Sequence, residues 1–165
     1  AQEQSAAYYA AEKLMAAPDV ALDERIKQTE AAMEAFLKAN PNAKLAPAAY
    51  GYLARFAFER KDYAKAEDAL QKALAHPQTD AVQRAIVLLS LGAVKAAQGK
   101  PADGVPFIGQ IADKRFEDAK GYALGTANLA AGKPEDARRQ FQQAVTAQPN
   151  SSVSTWAKDA LDYLP

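Results

Sequence analysis

Two stretches of the chain, LSLGAVKAAQGKPADG from Leu89 and YALGTANLAAGKPEDA from Tyr122, carry one pattern of residues at a fixed offset of 33. Gly92 falls on Gly125, Gly99 on Gly132 and Pro101 on Pro134. A repeat of this length is one supersecondary unit, too small to bury its own apolar face, and it becomes stable by stacking on neighbouring copies. The pattern inside the repeat is helical. Apolar residues recur at three- and four-residue spacing along most of the chain, and β-branched runs are almost absent. Alanine, the strongest helix former, makes up a large part of the 49% apolar fraction.

The punctuation between periodic segments predicts nine helices. They run from about Gln4 to Ala16, Asp23 to Ala39, Pro47 to Arg60, Tyr63 to Ala75, Thr79 to Gln98, Pro101 to Ala112, Phe116 to Ala131, Pro134 to the QPN stretch, and Ser151 to Tyr163. Thr79 is the expected N-cap of the fifth helix. In QGKPADG and AGKPEDA the glycine is suited to the left-handed position that ends a helix. The proline two residues later suits the first turn of the next, where its missing N–H costs little. Acidic Asp103, Glu135 and Asp136 fall in those first turns, facing the positive end of the helix dipole. Each unit therefore reads as two antiparallel helices joined by a very short turn.

Leu124-Gly125 followed by Ala137, Phe141, Ala144 and Pro149 resembles the tetratricopeptide repeat: Leu-Gly on the first helix, then Ala, an aromatic, Ala and a closing Pro. Leu91-Gly92, Gly104 and Ile108 match in the preceding unit, and Tyr50, Leu53-Ala54, Ala66, Leu70, Ala73 and Pro77 in the one before that. Leu53 and Leu91 are 38 apart, which we read as a lengthened turn around HPQTD. Gly104, Pro106 and Gly109 depart from the pattern and mark the sixth helix as the softest. The resemblance implies an all-α, tetratricopeptide-like α-solenoid of about four helix pairs plus a C-terminal capping helix. It would be a single domain over 1–165, with a weak N-terminal pair at 1–44, units at 45–78, 79–115 and 116–150, and the cap at 151–165.

The order of these segments is similar to that of the bacterial YfgM-type proteins, tetratricopeptide-like ancillary subunits of the secretion translocon. It runs from AQEQSAAYYAAEKL through FLKANPNAKLAPAAYGYLARFAFERKDYAKAEDALQKAL to RFEDAKGYALGTANLAAGKPEDARRQFQQAV. That likeness implies a protein–protein interaction scaffold on the periplasmic face of the inner membrane, assisting secretion or complex assembly. The membrane helix of that family would lie before Ala1, and a chain that opens without Met leads us to expect a signal or anchor there. A self-assembling structural module and a cytosolic adaptor are the alternatives.

Other function classes find little support. Basic and acidic residues balance at 20 each, without a basic stripe for nucleic acid or a polybasic cluster for anionic lipid. No apolar run approaches the ~20 residues of a membrane span. With no cysteine, disulfides, thiolate zinc sites and thiol catalysis are out. The one histidine, His76, stands at the end of a predicted helix and reads as a cation favourable to its dipole. Carboxylate pairs such as Asp62/Glu67 and Glu135/Asp136 read as caps and first-turn charges. Asn150-Ser151-Ser152 reads as an N-cap and Trp156 as a core aromatic sealing the last helix. No catalytic, cofactor-binding or metal-binding residue is therefore assigned; the expectation is no enzyme and no cofactor.

Binding is expected on the first helix of each pair, beside the buried stripe of Leu53, Leu91 and Leu124. The candidates are Tyr52, Arg55 and Phe58 on the third helix, Leu89, Ala93 and Ala96 on the fifth, and Tyr122, Thr126 and Leu129 on the seventh. This lining is mostly apolar, with Tyr52, Phe58, Tyr122 and Leu129 as anchors. It suits an apolar or amphipathic protein segment, such as a helix laid in a groove. Coverage by the N-terminal pair or by a second copy of the chain is the competing use of the same side chains.

Overall fold

The computed structural model describes residues 2–164. It contains α1 (Gln2–Leu14), α2 (Leu22–Ala39), α3 (Ala46–Glu59), α4 (Tyr63–Ala75), α5 (Ala81–Ala97), α6 (Pro101–Gly109), α7 (Glu117–Ala130), α8 (Pro134–Ala147) and α9 (Ser152–Asp162). A 3-10 turn, Lys114–Phe116, leads into α7. The all-α class and the helix-pair pattern stand as the sequence predicts, with no strand among the described residues. Ala1 and Pro165, the outer ends of the expected first and last segments, lie outside the described residues. The chain divides between Gln83 and Arg84 into two compact units.

In the first unit α3 and α4 form an antiparallel pair, α2 packs on α3 and α1 on α2. Its core is built from few large side chains, Met33, Phe36, Leu53, Phe56 and Leu70, set among fully buried Ala46, Ala49, Ala57, Ala66 and Ala73. Alanine at those positions lets the helix backbones approach closely. Glu30 of α2 ties this packing together at the α3–α4 turn. Its carboxylate accepts from Arg60 at 2.7 Å and from Lys65 at 2.9 Å. The Arg60 hydrogen bond, with Lys65 beside it, holds the Glu30 carboxyl below the usual carboxylate range against the opposing effect of burial.

The second unit pairs α7 with α8, and α9 closes over both. Phe141, Ala137, Ala144 and Ala157 are buried there, with Tyr122, Val145, Leu161 and Leu164 packed around them. Its two helix pairs share one contact. A Cβ added to Gly92 would lie 2.6 Å from the Ile108 side chain, and one added to Gly125 would lie 2.5 Å from the Phe141 ring. Both glycines and both large partners are related by the 33-residue offset. At Gly121 the obstacle is less yielding, because a Cβ there would meet backbone, Ala144 N and Gln140 O, at 2.9 Å.

The turns follow one design. Gly99 (φ 75°) and Gly132 (φ 74°) take the left-handed position. Lys100 N donates to Lys95 O and Lys133 N to Asn128 O, each at 2.9 Å, closing a Schellman motif at the end of α5 and of α7. The α3–α4 turn closes identically, Asp62 N donating to Ala57 O at 2.9 Å, yet its left-handed residue is Lys61 at φ 61°. The motif thus occurs three times, once without its glycine.

Two local expectations are corrected. Thr79 is not the N-cap of α5: its hydroxyl donates back to Ala73 O at the end of α4. Asp80 fills that role, accepting from Gln83 N at 2.8 Å while Gln83 Oε1 accepts from Asp80 N at 3.1 Å, a reciprocal capping box. The sixth helix ends at Gly109, short of Ala112. Pro106 within it deprives the Ala102 carbonyl of its helical donor, and Gln110 Nε2 folds back to the Pro106 carbonyl at 3.1 Å. His76 is tied down at both ring nitrogens: its Nδ1 accepts from Gln78 N at 3.1 Å. Its Nε2 therefore carries the proton and donates to Pro41 O at 2.9 Å, tying the end of α4 to the α2–α3 loop.

These contacts set three expectations for stability. Lys61→Gly should stabilise the chain by about 0.5 kcal/mol and Gly132→Ala should destabilise it by about 1 kcal/mol in denaturant titrations, because only glycine takes the left-handed position without a Cβ penalty. Gly125→Ala should cost about 1–3 kcal/mol by overpacking, and Phe141→Leu in the same chain should recover part of it. No side-chain change should recover Gly121→Ala, since its obstacle is backbone. Glu30→Gln should cost about 0.5–1 kcal/mol, a figure discounted for solvent screening. The folded pKa of Glu30 is lowered, so this contribution is full above the ordinary carboxylate pKa and fades as pH falls through the folded value. Wild-type and variant midpoints should therefore converge at acid pH.

Candidate functional site

The groups with chemical potential are mostly engaged in holding the fold. Both His76 ring nitrogens have partners. Asp62 caps α4 through Lys65 N, and Asp113 holds Arg115 through both its carboxylate oxygens. Asp136 pairs with Arg139 and Glu135 with Arg138 along α8. The buried carboxylate of Asp118 accepts from Ala119 N in the first turn of α7. Among the described residues no group of three or more His, Cys, Asp or Glu side chains could hold a metal ion. What remains as a candidate site is surface on the first helices of the pairs.

In the first unit α3 presents Tyr52, Arg55 and Phe58. Leu53, Ala54 and Ala57 on the same helix are buried and fix which side is left over. The Arg55 guanidinium lies 5.3 Å from the ring centroids of both Tyr52 and Phe56. Phe58 stays 37% exposed and leans on Tyr63 at 5.4 Å between centroids. Tyr52 is not free. Its hydroxyl donates to Glu12 Oε1 of α1 at 2.8 Å, and its ring lies 6.5 Å from that of Tyr8. Burial, and then the hydrogen bond to Glu12, push the Tyr52 hydroxyl up, keeping it a donor. Deeper burial pushes the Tyr8 hydroxyl up to about 12.

The second unit carries the remaining six candidates. On α5, Leu89 is half-buried, whereas Ala93 and Ala96 are exposed; Leu88, Leu91 and Val94 form the buried side. On α7, Tyr122, Thr126 and Leu129 recur at helical spacing. Tyr122 is half-buried and packs between Phe141 at 5.7 Å and Trp156 at 6.0 Å. Thr126 Oγ1 is turned back to the Tyr122 carbonyl at 3.0 Å and so is spent on its own helix. Leu129 is 42% exposed.

Two features escaped the sequence reading. Trp156 is 53% exposed rather than core, because α9 turns Ala157 and Ser154 inward and leaves the indole lying on Tyr122. Tyr8 and Glu12 belong beside Tyr52, a contact across 40 residues for which the sequence carries no pattern beyond their one-turn spacing on α1.

The helix pairs have relatives. Residues 1–164 match the family described as "Tetratricopeptide repeat-like domain". A protein of Aggregatibacter actinomycetemcomitans called "Ancillary SecYEG translocon subunit" is 30% identical over 109 residues, 66% of this chain and 53% of its own. One of Haemophilus influenzae with the same name is 32% identical over 124 residues, 74% of this chain and 58% of its own. The chain thus spans just over half the length of these curated relatives, and the likeness read from its sequence is to the same group of proteins. Matched along its described length and built from pairs spaced by small residues, the chain belongs to the tetratricopeptide repeat-like domain family.

Proposed function

We propose that this chain is a protein–protein interaction scaffold, the periplasmic domain of an inner-membrane-anchored protein that assists secretion or complex assembly. The observation that carries the reading is the family match over residues 1–164 together with two relatives that share the translocon-subunit name. Such a role asks for exposed side chains on a rigid helical support and for no reactive group. No helix among the described residues is long and apolar enough to cross a membrane, so in this reading attachment comes from a segment outside these 165 residues.

The partners are protein segments with an apolar or amphipathic face. They would meet Tyr52, Arg55 and Phe58 on α3, Leu89, Ala93 and Ala96 on α5, and Tyr122, Thr126 and Leu129 on α7. Large apolar side chains left exposed beside small ones form the kind of surface on which a few anchors carry most of the binding. Phe58 and Leu129 are the most exposed of the four anchors.

Photocrosslinking in whole cells tests this. A photoreactive residue at Phe58, Ala96 or Leu129 should yield adducts with subunits of the secretion machinery, and one at exposed Gln71 or Gln142 on the second helices should not. Equal labelling from both sets would overturn the surface assignment. Protection of the chain from protease in intact spheroplasts would overturn the periplasmic placement.

A further inference from the structure

The first helix is attached to its unit unlike any other. Of its described side chains only Tyr8 and Ala11 are buried, and Tyr9 beside them is 50% exposed. It lies along α2 and reaches α3 through Tyr8 and Glu12. The place it fills is aromatic. Tyr8 packs edge-on against Phe36 of α2 at 5.8 Å and against Tyr52 of α3 at 6.5 Å, and Phe56 backs Tyr52 at 6.0 Å. At its rim the Arg55 guanidinium lies over the Tyr52 and Phe56 rings and pairs with Glu59 at 3.7 Å. Glu12, one helical turn after Tyr8, lays its carboxylate on this rim and accepts from the Tyr52 hydroxyl.

We propose that α1 is a built-in occupant of this aromatic seat, and that the seat also takes a helical protein segment of the same chemistry, an aromatic residue followed four positions later by a carboxylate. Displacement of α1 then exposes Tyr52, one of the nine surface positions, to the incoming helix. The inference rests on the scaffold reading for its purpose, but the seat and its occupant stand on the contacts alone.

The physical case is a comparison of two small quantities. A helix of 13 residues is marginal by itself in water, so α1 persists only through docking. Docking buries one tyrosine and one alanine completely, against the ordering of the whole segment. Helices held so lightly open locally, without global unfolding. The seven residues that join α1 to α2, MAAPDVA, contain Pro18 and form no helix. Arg25 of α2 holds the first of them by donating to Met15 O at 3.0 Å, so the hinge about which α1 swings lies at Met15 while α2 stays in place. The Tyr52 hydroxyl favours the stated ligand over a purely apolar one, since without a carboxylate it would lose its acceptor.

Hydrogen exchange on the intact chain gives the first test. The slowest α1 amides should exchange at least about tenfold faster than those of α3, and Tyr52→Phe, which removes the donor to Glu12, should speed α1 about fivefold further while leaving α4 unchanged. Exchange of α1 and α3 at one common rate would overturn the proposal. The second test adds a labelled peptide of residues 2–17 to the full chain. It should bind the Tyr8→Ala/Glu12→Gln chain at least about tenfold more tightly than wild type, because the seat is then vacated. Binding should vanish when Tyr52→Ala is added, or when the peptide carries the Tyr8→Ala and Glu12→Gln changes. Equal affinity for both chains, or no binding to the vacated one, would overturn it. If the double variant does not keep the helical content of wild type, the Tyr52→Phe exchange result decides. Loss of this proposal would leave the crosslinks from Ala96 and Leu129 unaffected, whereas failure of the scaffold reading would remove those crosslinks and leave peptide binding intact.

Discussion

The distance between paired helices is the constraint on which everything else in this chain depends. An alanine-rich helix has little side chain with which to hold a neighbour, so its contribution must come from backbone proximity. Gly92 and Gly125 permit it by leaving space for Ile108 and Phe141. Gly121 goes further and brings the two helix backbones of its pair into contact through Ala144 and Gln140. Once that spacing is set, the turn between helices has to be short, and a Schellman closure with a left-handed residue is the short solution used all three times. The first helices then present one buried stripe and one remaining stripe, and only the latter is available to a partner.

That logic also explains what could be read from the residues alone. Period, helix positions and glycine turns were legible because each is local and written twice at one offset. The place of the α3–α4 turn was legible too, but its closure was not, because Lys61 occupies the position where glycine would have announced it; its backbone partners hold it there despite the Cβ. The capping box at Asp80 and Gln83 is written in the sequence as an acid followed three residues later by an amide, beside a threonine that is an equally good cap by residue type. Thr79 faces backward because the end of α4 has unpaired carbonyls to offer. The helix that contains Pro106 stops earlier than its apolar spacing implied.

The candidate surface was legible in part, and the division is physical. Which side of α3, α5 and α7 is buried follows from spacing, so the exposure of Ala93, Ala96 and Leu129 could be anticipated. What covers an exposed side is decided elsewhere in the chain. Tyr52 meets Glu12 across 40 residues, and Tyr122 meets Trp156 across 34, through side-chain contacts that no period encodes. Aromatic residues are sparse in this chain, and those that join helices distant in sequence meet at Tyr8–Tyr52–Phe56 and at Tyr122–Phe141–Trp156. The concentration has a simple cause. Where the repeat supplies alanine, only a large ring can bridge helices whose backbones are not in contact.

The same cause separates the two clusters in function. Around Tyr122 the bridging ring is Trp156, from a helix whose other face is anchored by Ala157 and Ser154 beneath it. That cluster is a fixed part of the second unit that happens to leave an indole exposed. Around Tyr52 the bridging ring is Tyr8, from a helix with almost nothing else buried. Removing the first arrangement would open a core around Phe141, whereas removing the second would uncover a surface and leave the α3–α4 pair whole. A repeat chain can regulate its contacts by controlling who stands on its exposed helices. Of the two aromatic clusters, only the one at Tyr52 is held by an element light enough to step aside.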